Sequence, residues 1–413
     1  MRPEGMTKGL MINPLHRRTD SPHPRPIGCG RGFTSAPHKR SGESNSVCAV
    51  EFAVRGKKPV VFRNYSPAAR FKDMSMPEHP RLIDLSADTA TRPSEAMRLA
   101  ICAAPVGDEQ RGEDPTTLAL EERVANLLGQ QKALFLPSGT MANQIAFIVH
   151  CRPGDEIICA ENAHVFGSEG AGAAVLAGAQ FRPLDTATGI FTAEDVASRL
   201  RAPRHRSPRS RVITIEQTTN RGGGRIWSED AIRALKGLAL ENGLALHMDG
   251  ARLLNAAVAT GLPAARFAAP CDSVWIDLSK GLGCPVGAVL AGSTGFIEEA
   301  LVWKHRLGGA MRQSGILAAA GLYALDHNVE RLAEDHDNAW RLAAILAAVP
   351  GLQVQPGGAV TNILFLDLLG TGVSASALAE ALAGEAIRVN VEGQHRIRMV
   401  THLDVSADDV EVA

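Results

Sequence analysis

Two stretches decide how this 413-residue chain reads: LALHMDGAR, residues 244–252, and SVWIDLSKG, residues 273–281. Each opens as a nearly continuous apolar run of strand length and ends on an ionisable residue, Asp249 in the first and Lys280 in the second. Strands without apolar–polar alternation belong to sheets covered by helices on both faces, which are mostly parallel α/β sheets. Ligands in such sheets sit beyond the carboxyl ends of the strands, so the acid and the amine are expected at one edge. A third run, ALFLP (133–137), leads into Ser138-Gly139-Thr140 at the start of a helical pattern. A helix start built of small residues offers free N–H groups and a favourable dipole to an anion.

Working outward, the body alternates such strands with helical patterns. Apolar residues at i, i+3, i+4 spacing predict helices at Pro115–Leu128, Ser228–Asn242 and Asn328–Val349. Strands are predicted at 133–136, 156–159, 211–216, 244–248, 273–277 and 288–291. Taken singly, Lys280 reads equally well as a solvated strand-end lysine, Asp249 as a turn residue before Gly250, and SGT as an ordinary N-cap. Together, an amine flanked by small residues, a buried-strand acid and an anion cradle are what pyridoxal 5′-phosphate requires: a Schiff-base lysine, a carboxylate for the pyridinium nitrogen and a phosphate site.

Composition excludes other classes. No apolar run approaches the roughly 20 residues that span a bilayer, so no membrane segment is expected. Seven cysteines without a CxxC pair argue against a disulfide scaffold or zinc ribbon and for a reducing cytoplasm, and no metal site is expected. The whole-chain charge of −1 conceals an asymmetry: residues 1–80 hold 14 Lys+Arg against 6 Asp+Glu, leaving 29 against 38 in the rest. An acidic body with 4% aromatics is no nucleic-acid binder. The first 80 residues, with 10 of the 23 prolines and no sustained apolar period, read either as a disordered basic extension or as a misassigned start, with Met74 or Met76 as the natural one. The glycine run RGGGR (221–225) reads as a flexible loop, and ERLAEDHDNAWR (330–341) as a solvated helix face.

Many separated motifs from Ile83 onward resemble the low-specificity L-threonine aldolase family: DTATRPSEAM (88–97), VGDEQRGEDPT (106–116), PSGTMAN (137–143), DGARLLNA (249–256), LSKGLGCPVGAVLAG (278–292), GGAMRQSGILAAAGLYAL (308–325), DHDNA (335–339) and VTHLDVS (400–406). The resemblance implies the aspartate-aminotransferase-like α/β fold of pyridoxal-phosphate enzymes, fold type I. Its large domain (81–328, with an N-terminal arm) holds the mostly parallel sheet, and a smaller α+β domain covers 329–413. It implies that Lys280 carries the cofactor, that Asp249 faces the pyridinium nitrogen, and that His164 stacks on the ring and helps deprotonate the substrate. Ser138, Gly139 and Thr140 would hold the phosphate, and Arg252 would lie against cofactor and substrate. Arg252 and Arg398 would bind the substrate carboxylate, a task suited to the guanidinium fork. Arg312 would reach a phosphate across a subunit interface in a homo-oligomer, a dimer of dimers with shared sites. The implied reaction cleaves a β-hydroxy-α-amino acid, such as L-threonine, L-allo-threonine or a bulkier analogue, to glycine and an aldehyde. The alternative is β-elimination or dehydration on the same fold; a non-catalytic relative is disfavoured because Lys280, Asp249 and His164 are all present.

The substrate side departs from the family pattern. Ala87 stands where the family has a serine, Arg111 where it has a tyrosine, His305 where a lysine is frequent, and Glu216-Gln217-Thr218-Thr219-Asn220 replaces Glu-Asn-Thr-His-Asn. With one donor lost at Ala87 and a cation gained at Arg111, weak activity on threonine and better activity on a bulkier or anionic analogue are expected.

Overall fold

A computed structural model describes residues Arg81–Ala413 apart from Pro203. The reading of residues 1–80 as an extension or misassigned start lies outside the described residues. The strands are β1 (Ile83–Asp84), β2 (Lys132–Leu136), β3 (Asp155–Ala160), β4 (Gln180–Leu184), β5 (Arg209–Glu216), β6 (Ala245–Gly250), β7 (Ser273–Asp277) and β8 (Ala288–Gly292), followed by β9 (Leu352–Val354), β10 (Ile363–Leu368), β11 (Ile387–Arg388), β12 (Asn390–Val391) and β13 (Arg396–Val400).

Seven of them form one sheet in the order β2-β8-β7-β6-β5-β3-β4. β4, β3, β5, β6 and β7 pair in parallel, and β8 runs antiparallel to both of its neighbours. The sheet is therefore mostly parallel, with helices over both faces. Side-chain alternation sorts each strand between two cores. Phe135, Val274, Ile276, Val289, Leu246 and Met248 enter the larger one. Leu134, Leu136, Trp275, Ala288 and Leu290 face the other, beneath the helix Gly139–His150 that supplies Ala142, Ile145 and Ala146. A second sheet, β12-β13-β10-β9, is antiparallel, and β1 pairs in parallel with β11. Ile83 and Leu85 pack into the core of this second layer with Leu364, Leu366, Ile397 and Leu342.

Local signals set the helix boundaries. Helix Pro115–Leu128 has Asp114 capping the Thr117 N–H, proline in its first turn, and Gly129 closing it at φ 65°. Helix Glu229–Asn242 is capped by Ser228 and closed by Gly243 at φ 64°. The expected helix 328–349 begins later, at Leu332, because the preceding helix, Gly315–His327, terminates at Asn328, and it ends at Ala347. Its supposed solvated face is partly internal. Asp335 and Asn338 are buried, Arg331 pairs with Asp335 at 2.7 Å, and Asn338 donates to the Val405 carbonyl. The glycine run is likewise no flexible loop: a Cβ on Gly222 would lie 1.9 Å from the Thr188 carbonyl oxygen, and Gln355 and Thr361 donate to the carbonyls of Gly223 and Gly224. Among the described residues, no helix is long and apolar enough to cross a membrane.

Candidate active site

The register of three adjacent strands builds the site. Thr214, His247 and Ser273 stand side by side across β5, β6 and β7, and so do Glu216, Asp249 and Trp275 two residues further on. Residues two apart share a face, so this face carries a polar row beneath the helix Gly139–His150. Asn143 on that helix is fully buried and joins the row together. Its Oδ1 accepts from Trp275 Nε1 at 2.7 Å and lies 3.0 Å from His247 Nε2. Its Nδ2 donates to Asp249 Oδ2 at 2.9 Å and to Glu169 Oε1 at 2.8 Å.

Beyond the carboxyl ends of these strands lies a cavity of about 410 Å³. It brings together Lys280, Asp249, His164, Ser138, Gly139, Thr140, Ala87, Arg252 and Arg398, residues drawn from across the sequence. Lys280 Nζ donates to Asp277 Oδ2 at 2.5 Å and sits 5.6 Å from the centroid of the Trp275 ring. Ser138 Oγ accepts from the Met141 N–H, which leaves its hydroxyl proton free to donate, and Ser138, Gly139 and Thr140 together line the cavity at the helix start. A Cβ on Gly139 would lie 2.2 Å from the Trp275 ring, so only glycine lets the helix start this close to it.

His164 opens a short helical turn just after β3, and its Nδ1 lies 3.0 Å from Glu169 Oε1. His164, Glu169 and Asp249 converge to within 4.8 Å. The Glu169 bond raises the His164 pKa above its ordinary value, outweighing burial. Burial, then the Glu169 charge, raises Asp249 against the downward pull of Lys280 and Asn143. Burial also pushes Glu216 up to about 7, with the Asp249 charge adding to it, although Glu216 accepts from the His164 and Asn220 N–H groups. Carboxyls crowded in a desolvated cavity thus favour sharing protons or meeting a cation.

The arginines occupy the other part of the wall. Arg252 is buried and fork-bonds Asp88 through Nε at 2.7 Å and Nη2 at 2.8 Å. Burial would raise Asp88, but the guanidinium outweighs it and holds the carboxyl well below the usual range. Arg398 donates to Asn220 Oδ1 and to the Ser86 carbonyl, while its buried Nε has no partner. Arg111, His305 and Arg312 do not line this cavity. Arg312 and Arg111 pair with Asp108 at 3.2 and 3.9 Å and are well exposed, and His305 lines a separate pocket with Glu109, Leu118 and Leu301.

The beta-eliminating lyase family matches residues 84–368. The low specificity L-threonine aldolase of Escherichia coli strain K12 is 42% identical over 335 residues, spanning 80% of this chain and 97% of that protein. The chain belongs to the low-specificity L-threonine aldolase family. A second family member, the low-specificity L-threonine aldolase 1 of Arabidopsis thaliana, is 39% identical over 335 residues, 80% of this chain and 94% of its own. The fold is that of the Leishmania major threonine aldolase, with a TM-score of 0.68 at 20% identity over 80% of this chain and 98% of that one. A serine palmitoyltransferase from Sphingomonas wittichii shares it with a TM-score of 0.63 at 19% identity, covering 80% and 85% of the two chains.

Family motifs did not single out every cavity residue. Asn143, Glu169, Asp277, Asp88, Asn220, Arg221 and Glu392 were given no role by sequence, although all touch the site or its walls. One signal was available: Thr214/Glu216, His247/Asp249 and Ser273/Trp275/Asp277 repeat a non-aliphatic residue at every second position in three strands. That alternation marks one sheet face as a polar floor.

Proposed function

We propose that this protein is a pyridoxal-phosphate-dependent aldolase that cleaves a β-hydroxy-α-amino acid, threonine or a bulkier analogue, to glycine and an aldehyde. The observation that carries the reading is the convergence of the Lys280 amine, the Asp249 carboxyl and the helix start at Gly139–Thr140 on one cavity. The donor set suits the cofactor. A primary amine can bind its aldehyde, a bare helix N-terminus its phosphate, and a buried carboxyl its ring nitrogen. The pKa pressure on Asp249 is what a cationic ring nitrogen would relieve. When bound, the cofactor supplies an electron sink for the carbanion that forms at Cα.

The chain's own residues do the rest. Arg398, with its unpartnered buried Nε, binds the substrate carboxylate, and Arg252 adds what its pairing with Asp88 leaves free. His164, tied through Nδ1 to Glu169, takes the β-hydroxyl proton at Nε2 as the Cα–Cβ bond breaks. A proton delivered to Cα completes glycine. Asp277 holds Lys280 beside the reacting centre.

Arg111, His305 and Arg312, outside this cavity, would serve a neighbouring subunit of a homo-oligomer, a dimer of dimers. In support, His305 lines a pocket carrying the exposed apolar side chains Leu118 and Leu301, and so do Gln110 and Gly112 on either side of Arg111 in the chain. A reducing cytoplasm suits the free cysteines Cys102, Cys151, Cys159, Cys271 and Cys284. The family description favours one second reading, elimination at Cβ, which gives a keto acid and ammonia instead. Incubation with threonine, allo-threonine, phenylserine and 3-hydroxyaspartate, with glycine assayed, tests the proposal. Glycine formation that is abolished in Lys280→Ala is expected, and keto acid without glycine would refute it.

A further inference from the structure

The cavity's arginines are unevenly matched by their nearest acids. Arg252 is matched by Asp88, but Arg398 and Arg221 face a single carboxylate, Glu392. Glu392 Oε1 lies 3.7 Å from Arg398 Nη1 and Oε2 lies 3.8 Å from Arg221 Nε, both too long for hydrogen bonds. The acid is fixed from elsewhere: Oε1 accepts from Asn390 Nδ2 at 2.8 Å, and the Glu392 N–H donates to the Arg396 carbonyl. Arg221 is held in place by the clamped glycine run that follows it, and among the described residues its guanidinium makes no hydrogen bond. Arg398 registers all of these charges. Burial and then Arg252 and Arg221 push its pKa down, while Glu392 and Asp88 pull it back. Across the whole cavity the carboxyls of Asp88, Glu169, Glu216, Asp249, Asp277 and Glu392 outnumber the guanidinium groups of Arg221, Arg252 and Arg398 and the Lys280 amine, so beyond one substrate carboxylate at Arg398 there is no spare cation to hold a second.

We propose that Glu392 determines substrate charge: seated between Arg221 and Arg398, it limits the cavity to β-hydroxy-α-amino acids whose side chain carries no second carboxylate. This rests on the reading of the cavity as an amino-acid site. It reverses the expectation of an anionic substrate drawn from Arg111, which does not line the cavity. Neither Arg221 nor Glu392 belongs to the motifs that carry the family resemblance.

Binding of L-alanine and L-aspartate to the holoenzyme tests the proposal without turnover, because both lack the β-hydroxyl and differ by one carboxylate. Calorimetric titration of the wild type is expected to show alanine binding more tightly than aspartate. Glu392→Gln keeps the shape and the acceptor for Asn390, and it should improve aspartate relative to alanine by about tenfold, the scale of one charge acting over about 4 Å when largely screened by water. Arg221→Met should shift the ratio the opposite way. A ratio unchanged within about twofold in Glu392→Gln, where a charge effect predicts tenfold, overturns the assignment of Glu392 while alanine binding still upholds the amino-acid site. Loss of alanine binding in the wild type overturns the amino-acid site itself and the proposal with it.

Discussion

Replacing Asn143 by Asp alters one group in a fully buried side chain and creates no cavity. The remaining oxygen can still accept from Trp275 Nε1, but the Nδ2 group becomes a carboxylate oxygen facing Asp249 Oδ2 at 2.9 Å and Glu169 Oε1 at 2.8 Å. Two hydrogen bonds to ionised acceptors are lost, each worth about 1.5–3 kcal/mol. Like charges then replace them in a desolvated site. We expect the variant to be less stable than the wild type by about 4 kcal/mol at pH 8, taken from those two bonds. At pH 5 the deficit should shrink to about 2 kcal/mol, because the new carboxyl keeps its one proton and donates to one of the two acids that the amide served. The sign follows from linkage. An acid whose folded pKa is raised contributes stability below its unfolded pKa and loses it as pH rises through the folded one. Calorimetric melting of both proteins at the two pH values measures the difference. Equal deficits at pH 5 and pH 8, or none at pH 8, would refute the picture of Asn143 as the shared donor to two acids.

Three other outcomes follow from the same physics. Glu121 accepts from the Phe135 N–H, and burial pushes its carboxyl up to about 7, so the wild type loses stability as pH rises from about 4.5 to 7. Glu121→Gln should therefore gain on the wild type across that window, by on the order of 3 kcal/mol at pH 8, and parallel pH profiles in urea titration would count against it. Arg252→Lys offers a point charge where Asp88 takes a fork, and should cost about 2–3 kcal/mol of stability and weaken amino-acid binding, read by thermal shift and titration. Gly139→Ala must push Trp275 aside, so cofactor retention after dialysis, followed by visible absorbance, should fall well below that of Ser138→Ala, which removes a cap and one cavity hydroxyl but displaces no ring.

The sequence reveals the fold most clearly where a single local signal is decisive. Helix Pro115–Leu128 and strand Ser273–Asp277 fall where periodicity predicts them, because a cap, a closing glycine or a flanking acid marks each end. The helix predicted from Asn328 starts late because Asn328 ends another helix, a boundary that apolar spacing cannot register. The site divides in the same way. Asp249 and Lys280 stand at strand ends, where chemistry is legible from position alone. Asn143, Glu169 and Glu392 sit in helices and loops whose partners are distant in sequence, so only tertiary contact gives them meaning. Asp335 and Asn338 read as solvated for the same reason: the segment around Val405 that covers them is some 70 residues away.

The central claim is carbon–carbon cleavage at a site centred on Lys280, and a product balance tests it most directly. Threonine incubated with the purified holoprotein should yield glycine and acetaldehyde in equal amounts, and neither from Lys280→Ala. A yield of 2-oxobutanoate and ammonia without glycine would contradict it.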